Sequence, residues 1–356
     1  MSRFMDEKYM FLEEYVPGEQ PTDMQYIKLN TNESPFPPSP IVSQAITKRE
    51  IDRMQLYPDP ECGAISRRLA DIYGFDRENI FIGNGSDDIL NFAFMAFCQN
   101  GAAFPDITYG FYEVFAKLHG IKADIIPLKD DFSIDPADYE GIGKTVFIAN
   151  PNAPTGLILP VEDIERIAVS NPDNVVVVDE AYIDFGGKSC VDLVRKYDNV
   201  LVVRTYSKSR SLAGGRLGFS IGSKEITADL MKIKFSTNPY SVNRLTLLAG
   251  EASLLDQTYY KENCAKIIMN RRFTKRELDK MGFETIPSLT NFLFTKHPAV
   301  SGEALYEKLK ENGILVRHFN KDRIKDYIRV TIGTYEQMKA FVSELRYILE
   351  REEKSR

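Results

Sequence analysis

One lysine and one aspartate set the first chemical question. Lys208 stands in Arg204-Thr205-Tyr206-Ser207-Lys208-Ser209, directly after the apolar run 200–203. A lysine amine whose surroundings lower its pKa can attack a carbonyl carbon and form a Schiff base. Small hydroxyl residues flank it, and Leu212-Ala213-Gly214-Gly215-Arg216-Leu217-Gly218 follows. That stretch suits a backbone approaching a ligand closely, although a solvated basic loop shares its composition. Asp179 follows a second apolar run, 175–178. A carboxylate at the end of a buried strand has to be paired or hydrogen-bonded to stay ionised. A protonated nitrogen, a metal or a helix N-terminus would each serve. Residues 83–88, Gly-Asn-Gly-Ser-Asp-Asp, follow a third apolar run, 80–82. Glycines allow a tight turn, and the free N–H groups of a following helix make a phosphate cradle. An ordinary turn with Ser86 or Asp87 as N-cap fits the same residues. Residues 150–156, Asn-Pro-Asn-Ala-Pro-Thr-Gly, follow the run 145–149 and read as a turn.

The elements that must position these residues are legible in outline. The four runs are short, β-branched and unalternating, as in parallel strands buried on both faces. Between them, 65–73, 87–98, 161–170 and 191–197 read as helices. Strand–helix alternation from about 62 to 250 means an α/β layer structure. Pro35, Pro37, Pro38 and Pro40 make the region before it an extended arm behind a short first helix. The tail differs: a long charged helix over about 255–281 closed by Gly282, a strand at 292–295, a helix at 303–311 closed by Gly313, strands at 314–316 and 327–332, and a last helix. The expected fold is therefore α/β, a large domain with a mostly parallel sheet flanked by helices, plus a smaller α+β C-terminal domain. The expected division is an arm over 1–30, the large domain over 31–262 and the small domain over 263–356.

Composition excludes several functions. The chain has 356 residues and a net charge of −6, with no basic stripe, so nucleic acid is not an expected partner. Its four cysteines lie far apart without a CxxC pair, and its three histidines lack metal-ligand spacing. No disulfide framework and no metal site are expected. The acidic start is not a signal peptide, and no apolar stretch reaches the ~18 residues of a membrane span. The expected location is the cytoplasm.

In open α/β sheets ligands gather at the carboxyl ends of the strands. A phosphate cradle, a buried carboxylate and a lysine there would together serve a ligand with a phosphate, a protonatable ring nitrogen and an aldehyde. Pyridoxal 5′-phosphate has all three. At this point ten motifs in order, among them LNTNESPF (29–36), YPDPE (57–61), GNGSDD (83–88), TYGFY (108–112), NPNAPTG (150–156), VDEAY (178–182), SKSRSLAGGRLG (207–218) and YIRVTIGT (327–334), resemble the fold-type-I pyridoxal-phosphate aminotransferases. Within that family they are most similar to the histidinol-phosphate aminotransferases, and the resemblance covers nearly the whole chain.

The resemblance implies roles. Lys208 would carry the cofactor and move the substrate proton; Asp179 would hold the ring nitrogen protonated; Tyr182 would donate to the ring oxygen; Tyr109 would stack on the ring. Ser86 and Asp87 backbone N–H groups, Thr205, Ser207 and Arg216 would hold the phosphate, and Tyr57 would reach it from a second subunit, making a homodimer. Arg329 and Arg317 would take substrate anions, with Tyr15 and Asn32 on the substrate side. The family often reads NPNNPTG; here Ala153 replaces the last Asn, so either Asn152 or Tyr182 meets the ring oxygen or that bond is absent. The implied activity is transamination between L-histidinol phosphate and 2-oxoglutarate, in histidine biosynthesis. Threonine-phosphate decarboxylation and broad aromatic transamination share these motifs. A cofactor-binding regulator would need a DNA-binding domain ahead of residue 29, for which there is no room.

Overall fold

The computed structural model describes residues 2–10 and 12–354. The described residues form thirteen strands: β1 (Ile27–Lys28), β2 (Ile80–Gly83), β3 (Ala102–Pro105), β4 (Ala123–Ile126), β5 (Thr145–Ala149), β6 (Val176–Asp179), β7 (Val200–Thr205), β8 (Gly218–Ile221), β9 (Glu284–Thr285), β10 (Phe292–Lys296), β11 (Ile314–Leu315), β12 (Arg317–His318) and β13 (Tyr327–Thr331). Seven of them build the central sheet in the order β2-β8-β7-β6-β5-β3-β4. Strands β7, β6, β5, β3 and β4 pair in parallel, and β8 runs antiparallel to both β7 and β2.

The unalternating apolar runs follow from burial on both sides. Val146, Ile148, Val176, Val178, Val200 and Val202 pack into one core, and Phe147, Val177, Leu201 and Val203 into another on the opposite face. All ten are solvent-inaccessible. Sequence reading joins the run 80–82 to its neighbours as a parallel strand, but β2 reaches them only through the reversed β8. Strand β8 escapes a pattern search because Gly218 and Ser220 interrupt its apolar residues. Strands β3 and β4 escape it too, being built largely from alanine, proline and aspartate.

Most helix ends match their signals. The helix Val161–Ser170 lies where expected, and Gln257–Lys280 starts at the Asp256 cap and stops before Gly282, whose φ is +81°. Three readings need correction. The stretch 191–197 is only a 3-10 segment, Val191–Arg195. The N-terminal helix is a single 3-10 turn, Glu7–Tyr9. The proline run does not stay extended throughout: Ser39 caps a helix over Pro40–Ala45, and Pro40 takes the first helical position, where its missing N–H costs nothing.

The C-terminal part builds its own antiparallel sheet, β12-β13-β10-β9, against the helices Gln257–Lys280, Gly302–Glu311 and Tyr335–Lys354. A further core centred on Leu293, Ile328, Val330 and Phe341 fills that layer. Strand β1 pairs in parallel with β11 and so ties the end of the arm to this C-terminal part. No helix among the described residues is long and apolar enough to cross a membrane.

Candidate active site

The carboxyl ends of β2, β6 and β7 open onto one cavity of about 340 Å³, lined by Ser86, Asp87, Tyr109, Asp179, Tyr182, Thr205, Ser207, Lys208 and Arg216. A second cavity of about 370 Å³ shares Tyr109, Tyr182 and Lys208 and adds Tyr15, Asn32, Arg317 and Arg329. Of the fifteen residues singled out in the sequence, thirteen therefore meet around two adjoining spaces. Tyr57 does not: it is 77% exposed, stacked on Tyr240 at 4.5 Å, and lines neither cavity. Asn152 does not either. Its amide donates to the Ile107 carbonyl and Thr155 Oγ1, while its oxygen accepts from Thr108 Oγ1, so the side chain is consumed inside the turn. The residue facing both cavities from that turn is Ala153.

The helix Ser86–Phe97 begins behind Gly85, which provides no side-chain cap. Ser86 is already its first residue, which corrects the reading of Ser86 or Asp87 as N-cap. The uncapped first turn leaves N–H groups and the positive end of the helix dipole toward the cavity. Two glycines keep this space open. Gly85 has φ +82°, and a Cβ there would lie 2.7 Å from an Arg216 nitrogen; a Cβ on Gly218 would lie 2.5 Å from the Ser86 nitrogen. Arg216 itself adopts the left-handed region at φ +51°, a conformation costing about 1–2 kcal/mol in a non-glycine residue. Its guanidinium pairs with Asp87 at 2.8 Å, and the Tyr109 phenol donates to the other Asp87 oxygen at 2.6 Å. Thr205 Oγ1 and Ser207 Oγ stand 3.0 Å apart on the other wall. Hydroxyls, an arginine and free N–H groups around a glycine-shaped hollow fit a phosphate.

Asp179 ends β6 and is 5% exposed. Oδ2 accepts from the Tyr112 phenol at 3.1 Å and Oδ1 from the Ala181 N–H at 3.2 Å. No described cation is ion-paired with it. Burial therefore pushes its carboxyl up to about 7, against the pull of those two donors. A buried carboxylate on a cavity wall without a cation fits a ligand that brings a protonated nitrogen.

Lys208 leaves the end of β7 into the same space, its Nζ 3.3 Å from the Thr31 carbonyl oxygen and without an acidic partner among the described residues. Below it, the buried Arg204 pairs with Asp184, and Ser209 Oγ donates to Asp184 at 2.6 Å, pinning the loop that carries the lysine. Tyr182 is held by Asn32, whose amide donates to the phenol oxygen at 3.0 Å; Asn32 Oδ1 in turn accepts from Thr331 Oγ1, which orients the amide. Because Tyr182 accepts there, its own proton is free to be donated into the cavity.

The second cavity gathers Arg329, Arg317, Lys208, Lys117 and Lys321, with Glu13, Glu14 and Glu113 also lining it. Arg329, on β13, donates to the Asn30 carbonyl at 3.0 Å, but its Nε is enclosed without a partner, and no described carboxylate pairs with it. Burial draws its guanidinium below the usual value. Tyr15 stacks on Phe111 at 4.3 Å beside it. Arg317 points the same way and donates to the Val16 and Pro17 carbonyls.

Sequence reading misses Tyr112, the side chain of Asp87 and the Thr31 carbonyl. Tyr112 was within reach: Tyr112, Phe115 and Ala116 form the buried face of the helix Phe111–Leu118, and a tyrosine on such a face needs a partner for its hydroxyl. No described group of three or more His, Cys, Asp or Glu is arranged to hold a metal.

This geometry of lysine, carboxylate and phosphate cradle on a mostly parallel sheet defines a class, and similarity places the chain in it. Residues 24–345 match the model of the aminotransferase class I and II family, and the chain belongs to that family. It is 50% identical over 352 residues to the histidinol-phosphate aminotransferase of Brachyspira hyodysenteriae, covering 98% of this chain and 99% of that one. It is 45% identical over 348 residues to the protein of the same name from Clostridium acetobutylicum, covering 97% and 99%. Among solved structures, the histidinol-phosphate aminotransferase of Sinorhizobium meliloti in complex with pyridoxal 5′-phosphate superposes with a TM-score of 0.83 at 27% identity, over 91% of this chain and 90% of that one.

Proposed function

We propose that this protein transaminates L-histidinol phosphate and 2-oxoglutarate with pyridoxal 5′-phosphate as cofactor, a step of histidine biosynthesis. The observation that carries the reading is Arg329: an arginine with an enclosed, unpartnered Nε and no carboxylate, facing the cavity that holds Lys208. It calls for an anionic substrate. Full-length relatives at 45–50% identity bear the name of this activity.

In this reading the N–H groups of Ser86 and Asp87, with Thr205, Ser207 and Arg216, hold the cofactor phosphate. When bound, the cofactor supplies an electron sink that acidifies the Cα–H of the amine. Asp179 keeps a proton on the ring nitrogen, because an adjacent negative charge favours the cation. Tyr182 places its free proton at the ring oxygen, the role left vacant by Ala153. Tyr109, fixed by its bond to Asp87, would offer its ring to the cofactor. Lys208 would move the proton between the substrate Cα and the C4′ carbon of the cofactor, with the Thr31 carbonyl accepting one of its hydrogens. Arg329, with Arg317, takes the phosphate of one substrate and a carboxylate of the other in alternate half-reactions; Tyr15 and Asn32 border that site.

The exposed, ring-stacked Tyr57 fits a residue that completes the phosphate site of a second subunit, so a cytoplasmic homodimer belongs to this reading. So does a division into an arm (1–30), a cofactor domain (31–262) and a small domain (263–356).

Arg329→Ala is expected to lower kcat/KM for both anionic substrates by about 10²- to 10³-fold, as expected for losing a charged hydrogen-bond partner in a partly dry site. The visible absorbance of bound cofactor should be unchanged. Steady-state kinetics with histidinol phosphate and with glutamate check this.

The whole reading is tested by mixing the cofactor-loaded protein with L-histidinol phosphate. The visible band should convert to the pyridoxamine form, and 2-oxoglutarate should restore it. Carbon dioxide release from phosphothreonine without such a cycle, or conversion by phenylalanine alone, would overturn the substrate assignment.

A further inference from the structure

We propose that Tyr112 is a positioning residue for Asp179: its phenolic O–H, 3.1 Å from Oδ2, fixes the carboxylate and favours its ionised form. The inference rests on the reading above, in which Asp179 serves the cofactor's ring nitrogen.

Both groups are buried, Tyr112 completely. The ring of Tyr112 lies in an aromatic shell, 5.7 Å from Phe147, 5.9 Å from Phe104 and 5.8 Å from Tyr109 at 88°. A phenylalanine would fill that shell equally well. The hydroxyl adds nothing to packing, and burying it without a partner would cost stability. Among the described residues the hydroxyl donates to Asp179 alone. Burial and the neighbouring carboxylate drive the phenol far above its ordinary value, so it stays protonated and acts as donor.

The surroundings of Asp179 make that donor matter. Asp87, on the helix Ser86–Phe97, and Glu180, next along the chain, both press toward the neutral form. Arg204 lies nearby but is taken by Glu180 and Asp184. Tyr109 faces Asp179 from the neighbouring loop but spends its proton on Asp87. Lys208 stands on the wall of the same cavity, its amine directed at Thr31. Apart from the Ala181 N–H, Tyr112 is the donor that holds Asp179 as an anion among the described residues. Its rigid seat also fixes the direction in which the second oxygen can point.

The test uses Tyr112→Phe, Asp179→Asn and the double variant, all loaded with pyridoxal phosphate. For Tyr112→Phe, the cofactor dissociation constant from equilibrium dialysis should rise about tenfold to a hundredfold, the range for losing a hydrogen bond to a charged group. The acid limb of the kcat profile and of the visible-band titration should move up by about one pH unit. The loss should be larger at pH 6.5 than at pH 8.5, with KM for the amine within about twofold of wild type. In the Asp179→Asn background the same substitution should add no further change. A Tyr112→Phe protein with the wild-type dissociation constant and pH profile overturns the proposal. So does a loss that is uniform across pH and equal in both backgrounds, which would be packing alone. If Asp179→Asn itself binds and titrates like wild type, the reading of Asp179 fails instead, and Tyr112 has nothing to position.

Discussion

Lys208→Ala is expected to lose about ten-thousand-fold or more of its turnover. The lysine does two things in the proposed reaction. It engages the cofactor aldehyde, and it carries a proton at the substrate Cα; general base catalysis alone accounts for about 10²–10⁴ of rate, and covalent engagement adds to it. Among the groups lining the two cavities, Lys208 is the amine that leaves the end of β7 into the space they share. The Tyr109 phenol donates to Asp87, and the Tyr182 phenol accepts from Asn32. Folding should survive, because among the described residues Lys208 makes no ion pair; its Nζ donates to the Thr31 carbonyl and lies 5.8 Å from the centre of the Tyr182 ring. Lys208→Arg separates charge from chemistry: it keeps the cation but supplies no base, and it should be as inactive as the alanine variant. The measurement is kcat with histidinol phosphate beside the visible spectrum of the loaded protein. Turnover of Lys208→Ala within tenfold of wild type would remove the lysine from the mechanism.

Asp179 carries the second large effect, and its sign depends on whether the cofactor is bound. In the loaded enzyme, Asp179→Ala should cut kcat by roughly 10³-fold, since a paired charge that tunes an electron sink is lost, and it should weaken cofactor binding. In the cofactor-free protein the same carboxylate is a burden. Unfolded, it releases its proton near 3.8; folded, it holds it until about 7. Between those values the folded state binds the extra proton, so stability falls as pH rises through that window, and the cost is complete above it. Asp179→Asn should therefore stabilise the cofactor-free protein by roughly 2–4 kcal/mol at pH 8 and by little near pH 4, at about 1.4 kcal/mol per pH unit. Urea unfolding at the two pH values decides it. Equal effects at both would mean that the carboxylate is not the strained group. Cofactor binding should reverse the order of the two proteins.

Much of this site is readable from residue types at strand ends. Lys208, Asp179 and the glycines at 83 and 85 stand out because each lies within five residues of the end of an apolar run that only a buried strand explains. What the runs cannot convey is the direction of a side chain within a turn. Asn152 and Ala153 are neighbours with opposite faces: the amide goes inward to Ile107 and Thr155, and the methyl goes to the cavity. Nor can they convey a side chain's second task. Asp87 looks like a donor of backbone N–H, yet its carboxylate joins Tyr109 to Arg216. The fold was hidden in the same manner where chemistry is bland: β3 rests on small residues, and β8 is recognisable only once β2 and β7 are seen to need a partner between them.

The arm before β1 hangs on an unusual hook. Arg317 donates to the Val16 and Pro17 carbonyls, yet it borders the second cavity. One guanidinium thus answers to two acceptors of different strength, a neutral backbone and an arriving phosphate or carboxylate. By linkage, whatever an anion gains from Arg317 is lost or added at the arm to the same extent. Substrate occupancy should thereby be readable on the arm itself, as a change in how quickly a protease cuts the segment around Val16.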